Sequence, residues 1–127
     1  MRVEVTAVLD PDRRLIHFES AVGSADAFVH GTAPLVRGVL DVEVDIPDEV
    51  ESWEVVEGGQ SAVVGDENGR VRIVGEVLSF DVEDRIVSLR VGGDVLLVEL
   101  ADRPVENLVG ARLSMDVPQI HLYELNL

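Results

Sequence analysis

The sequence predicts an all-β fold, a single small barrel or sandwich over residues 1–127 with at most one short helix, about 103–109. Three observations predict it. Apolar and polar residues alternate with a period of two in one stretch after another. The apolar content, 46 %, is carried by Val and Leu, while aromatic residues make up only 4 %. Clusters of Gly, Pro, Asn and Asp punctuate the alternating runs at short intervals. Val favours a pleated surface because its branched Cβ is stiff and packs against cross-strand neighbours. No repeat, low-complexity tract or linker is visible, so one domain with its own core is expected.

The first element spans residues 3–9, with Val3, Val5, Ala7 and Leu9 on one face and Glu4 and Thr6 on the other. "DPDR" (Asp10–Arg13) then turns the chain, because Pro presets φ and Asp side chains bond nearby backbone. Arg14, Ile16 and Phe18 alternate with Leu15 and His17 in the second arm of a hairpin. Residues 20–35, rich in small residues, read as a loop with a short strand near Phe28. Residues 39–47 form a strand whose Leu40, Val42, Val44 and Ile46 face the core, with Asp41, Glu43 and Asp45 opposite; Pro47 ends it. A further strand is expected from about Ser52 to Glu57.

Asn68-Gly69 suits a type I′ turn with two residues at positive φ. That turn pairs Glu67 with Arg70, Val64 with Ile73 and Val63 with Val74. The strand from Arg70 to Phe80 contains Gly75, expected to mark a bulge or a bend that lets one strand serve two sheets. Asp81–Asp84 turn the chain into a hairpin about Gly92-Gly93. Its core face is Val87, Leu89, Leu96, Val98 and Leu100. Its other face, with Ile86, Ser88, Arg90, Val95, Leu97 and Glu99, is half apolar and is expected to be partly covered. Asp102, Pro104 and Gly110 bound the short helix. Strands at 112–117 and near 119–125 close the chain, the last with Ile120 and Leu122 facing away from His121, Tyr123 and Leu125.

Residues 70–125 thus present three meandering strands, the first with an internal glycine, then a connector and two more strands. That order resembles an OB-fold. The resemblance implies a small barrel, and for that family a basic, aromatic surface that binds nucleic acid. This chain carries the opposite charge.

The net charge is −15, from 25 acidic residues against ten basic ones, all Arg. Such a polyanion is repelled by nucleic acid and anionic lipid, so neither nucleic acid nor membrane is an expected partner. A basic protein partner is favoured, and homo-oligomers through edge strands are a further expectation. The absence of Lys is the composition of a GC-rich genome or a salt-adapted organism. With no Cys, neither disulfides nor thiolate chemistry arises. Neither a signal peptide nor a membrane span is visible, so a cytoplasmic location is expected.

The candidate interaction residues are Asp41, Glu43 and Asp45 on one strand face, Asp48, Glu49 and Glu51 just beyond, and Trp53 beside them. Carboxylates about 7 Å apart on one face repel unless water, arginines, a cation or a basic partner compensates. A lone Trp ringed by charge is a common interface anchor, and equally a core residue. His17, His30 and His121 lack metal-ligand spacing, and no G-x-S-x-G elbow is present. "DENG" lacks the further ligands of a calcium loop. No catalytic residue, metal or cofactor is assigned. The leading expectation is a non-enzymatic β domain that contacts a cationic protein, in the manner of an immunity or inhibitor protein. Two alternatives stand beside it: a barrel binding a small molecule or cation near residues 20–35, and a hydrolase-type enzyme pairing His17 or His121 with a carboxylate.

Overall fold

The computed structural model describes residues 1–101 and 107–125. The alternating runs become strands β1 (Arg2–Asp10), β2 (Leu15–Ser20), β3 (Gly23–His30), β4 (Gly38–Asp45), β5 (Ser52–Val56), β6 (Ala62–Gly65), β7 (Val71–Asp81), β8 (Ile86–Val91), β9 (Asp94–Glu99), β10 (Arg112–Val117) and β11 (His121–Glu124). The fold is all-β, as the sequence predicts. Strands β1-β2-β3-β11-β4 form a closed barrel, β4 returning to β1. The second sheet runs β5-β10-β7-β8-β9, with β6 on β7. Of the expected helix, residues 103–106 lie outside the described residues. Asn107–Val109 is described and is not helical.

One contiguous core joins both sheets, so the chain is a single domain. Ile16, Phe18, Val42 and Leu122 fill the barrel, and Ile73, Leu89, Leu113 and Met115 pack under the second sheet. Each such side chain contributes about 1.5–3 kcal/mol by leaving water. No charged or polar residue is buried among the described residues. The alternation therefore sorts nearly every strand cleanly into a dry face and a wet one.

Several expectations are corrected. Leu9 does not face the core; it is 49 % exposed. The β1–β2 register shifts between Val5 and Ala7, and a bulge there moves the next residues to the other face, so Val8 packs inward instead. Residues 23–30 are not a loop but an eight-residue strand, β3. Its inward Ala25 lies close under Gly65 of β6, which is held there by the Val63 N–H donating to the Val22 carbonyl at 3.0 Å.

The β6–β7 register differs by one residue from the type I′ reading. Val63 pairs with Ile73, Val64 with Arg72 and Gly65 with Val71. Only Gly69 takes positive φ, at 82°, and the Asp66 carboxylate accepts from the Asn68 and Arg70 amides. One more residue fits in the loop, and Arg70 turns from Glu67 to Asp116, 3.1 Å away.

Gly75 does not send β7 into two sheets. One edge of β7 pairs with β10, while the other passes from β6 to β8 around Gly75. A Cβ at Gly75 would stand 2.5 Å from the Arg90 carbonyl oxygen, so only glycine admits this approach. The hairpin about Gly92-Gly93 has the expected register, Leu89 opposite Leu96 and Val87 opposite Val98. Its other face is covered only in part: Ile86 and Ser88 are half-buried, while Val95 and Leu97 are exposed.

The structure also contains a repeat that the sequence conceals. β1-β2-β3 and β7-β8-β9 are matching meanders, each first strand with a bulge, after Val5 in one and after Val77 in the other. Asp10 and Asp81 each accept from two amides of the following turn. Arg14 and Arg85 close those turns at φ 57° and 59°. The final strands then exchange. β11 leaves β10's sheet to lie parallel to β3, Leu122 beside Val29. Val50, just before β5, reciprocally bridges Leu100 in parallel.

Candidate functional site

The exchange of β11 into the barrel builds the most concentrated chemistry on the molecule. On the barrel's outer surface β4, β11 and β3 lie side by side. Asp45 is in register with His121, and His121 with Phe28. Glu43 is in register with Tyr123, and Tyr123 with His30. Asp41 follows on β4, and its carbonyl accepts from the Leu125 amide. A column of carboxylates therefore runs beside a column of rings and apolar groups.

The rings touch. His30 stacks on Tyr123 with centroids 4.3 Å apart and planes 10° from parallel. His121 lies 4.7 Å from His30 and 5.6 Å from Phe28. Only five aromatic residues exist in the chain, one Trp, one Tyr and three Phe, and two of them meet here with two of the three histidines. Tyr123 remains 41 % exposed. Beyond Phe28 the Arg13 guanidinium lies 5.3 Å above its ring.

His30 Nε2 and His121 Nδ1 are 2.6 Å apart, so one ring donates and the other accepts. His121 Nε2 is buried without a partner among the described residues. Burial pushes the His121 pKa below its ordinary 6.5, and His30 beside it pushes the same way, while Asp45 and Asp48 pull it partly back. The pair therefore holds at most one proton between the facing nitrogens.

The expected interaction residues are not one site. Asp41, Glu43 and Asp45 line the outer face of β4 as read from the sequence. Arg2 Nε meets Asp41 at 3.3 Å. Asp48, Glu49 and Glu51 flank Val50 in the crossing between sheets, where Arg85 reaches Glu49 at 3.4 Å. Trp53 sits opposite Met115 on β5 and packs against the core, half-buried. It also lines a surface cavity of about 580 Å³ with Arg70, Arg72 and Asp116.

Sequence reasoning missed His30, Phe28 and Tyr123 as partners. Alternation puts His121 and Tyr123 on one face, but no local signal tells that β11 pairs in parallel with β3. His17 Nδ1 lies 2.7 Å from Asp26 Oδ1, a cross-strand pair between β2 and β3. No hydroxyl hydrogen-bonds to that ring among the described residues. No group of three or more His, Asp or Glu side chains there could hold a metal ion.

No family model, curated protein or solved structure matches this chain. No helix among the described residues is long and apolar enough to cross a membrane.

Proposed function

We propose that this protein is a non-enzymatic binding module that engages a basic protein through the outer face of β4 and β11. One observation carries the reading. Glu43 stands in register with Tyr123, an exposed ring already stacked on His30. A preset aromatic face beside carboxylates matches a guanidinium or ammonium group, which gains a cation–π contact and an ion pair together. Among the described residues no arginine forms an ion pair with Glu43 or Asp45, so both carboxylates are available to a partner. The net charge of −15 supplies long-range attraction and fast, salt-sensitive association. An immunity or inhibitor protein that covers a basic site is one concrete form of this role. Nucleic acid and anionic membranes are disfavoured partners on the same electrostatic ground.

For residues 70–125 an OB-like reading stays part of the proposal, supported by the β7-β8-β9 meander and by β10 pairing with β7, although the last strand, β11, joins the barrel of the first half. Fold likeness assigns no partner.

The test is titration of an arginine-rich peptide at low and high salt, against two charge-matched variants. Glu43→Gln with Tyr123→Ala should abolish the salt-sensitive binding. Glu83→Gln with Val82→Ala, in a turn of the other sheet, should leave it nearly intact. Equal losses from both variants would reduce the interaction to non-specific attraction and overturn the proposal.

A further inference from the structure

Next to this face, the turn after β1, the end of β3 and the segment before β11 enclose a second surface cavity of about 500 Å³. We infer that it binds a flat organic ring carrying an oxyanion. The inference is independent of the basic-protein reading, because it uses different charges on a different side of the ring cluster.

The first argument is local charge. The chain is strongly acidic, yet this cavity is lined by Arg13, Arg14, His30 and His121, with Asp12 the one carboxylate among its lining residues. Two arginines against one carboxylate give the lining a net positive charge, which favours a small anion there. The second argument is how the two arginines are held. Arg14 is fastened from within, Nε donating to the Val29 carbonyl at 2.8 Å and Nη1 to the Ala33 carbonyl at 2.9 Å. Its Nη2 makes no hydrogen bond among the described residues. Arg13 forms no ion pair there either, and its guanidinium is parked over the Phe28 ring. One cation is thus preorganised by the backbone, and the other is free to pivot onto an arriving anion.

The third argument selects a ring. Phe28 is half-buried, with the Arg13 guanidinium over its ring and the tilted His121 ring 5.6 Å away. A flat ligand can slide between the Phe28 ring and the guanidinium, stacking on Phe28 while its oxyanion accepts from both arginines. The Gln119 amide, also lining the cavity, offers a neutral donor or acceptor at its rim. A bare inorganic anion would use the arginines and waste the ring; a neutral ring would do the reverse. The oxyanion could be a carboxylate or a phosphate, since both match the guanidinium fork.

The experiment follows the imidazole resonances of the full chain by NMR. The probes are benzoate, adenosine monophosphate, benzamide, adenosine and inorganic phosphate, at millimolar concentration. His30 and His121 signals should move with benzoate, with adenosine monophosphate or with both, which identifies the carboxylate or the phosphate as the group read. Benzamide, adenosine and inorganic phosphate should move them far less. Arg13→Gln should weaken the binding about tenfold, the loss of one charge-assisted contact. Glu43→Gln should not weaken it. Arg13 is exposed, so its replacement leaves folding intact. Equal responses to charged and neutral rings, a response to phosphate alone, no response at all, or indifference to Arg13→Gln would each overturn the inference. Arg13→Gln leaves the β4 carboxylates untouched, so this outcome does not depend on the peptide result.

Discussion

Arg14 and Arg85 occupy equivalent corners of two hairpins and solve the same problem in the same way. Each takes a left-handed backbone, φ 57° and 59°. Each accepts through its own carbonyl from the end of the third strand of its meander, Val29 N–H at 2.9 Å in one and Leu100 N–H at 2.9 Å in the other. Each guanidinium donates to a carbonyl at that same strand end, Val29 for Arg14 and Ala101, at 2.6 Å, for Arg85. The side chain repays a backbone strain that glycine would avoid.

Replacing Arg85 should separate these two contributions. Arg85→Ala keeps the strain and loses the charged donor, and should destabilise by about 2 kcal/mol. Arg85→Gly also loses the donor but relaxes the backbone, and should be about 1 kcal/mol more stable than the alanine variant. Urea unfolding midpoints measure both. If alanine proves the more stable of the two, the left-handed corner is not strained.

At Gly75 a single added carbon should be costly. Its Cβ would meet the Arg90 carbonyl oxygen at 2.5 Å and Leu89 Cγ at 2.8 Å. Backbone cannot retreat as a flexible side chain can, so Gly75→Ala should cost about 3 kcal/mol. Thermal unfolding of the variant checks this, and an unchanged midpoint would show that β7 and β8 are further apart.

The two faces of β9 should respond oppositely to neighbouring substitutions. Leu96 is 3 % exposed and Leu97 65 %. Leu96→Ala should cost about 3 kcal/mol through a cavity. Leu97→Ser should stay within about 0.5 kcal/mol of the parent. Comparable losses in denaturant titrations would mean that the outer face of β9 is covered after all.

Acid should weaken the fold through His121. Its pKa is depressed in the folded chain, so below the ordinary 6.5 the unfolded chain takes up protons first. The stabilisation by neutral His121 is complete above 6.5 and is lost as pH falls through its folded value. Unfolding free energy should decline over that window. His121→Gln should show a shallower decline, because the titrating ring is gone. A slope identical in the two proteins would remove His121 as its source.

Much of the fold was legible in advance, and the failures have specific causes. The facing of Val42, Leu89, Leu96, Leu113 and Leu122 follows from strict alternation, since a residue on one side of a pleat sends its neighbours to the other. Leu9 escaped because a bulge adds one residue without a sequence mark. β3 escaped because Ala25 and Ala27 are poor strand formers, Ala25 lying where Gly65 of β6 comes close. The one-residue slip after Gly65 arose because the Asp66 carboxylate, rather than two left-handed residues, organises that turn. Of the candidate site, the carboxylates of β4 were readable and their aromatic companions were not.

Sequence alone determined the local matters: extended chain, its dry and wet faces, most of its corners and the sign of its field. Those follow from neighbours a few residues apart. Tertiary structure alone decided that the chain doubles one meander, crosses its last strands between the halves, and so sets Tyr123 against His30 and His121 against Phe28. Pairing between distant strands depends on backbone hydrogen bonds that every residue offers alike, and leaves little trace in the side chains that make it.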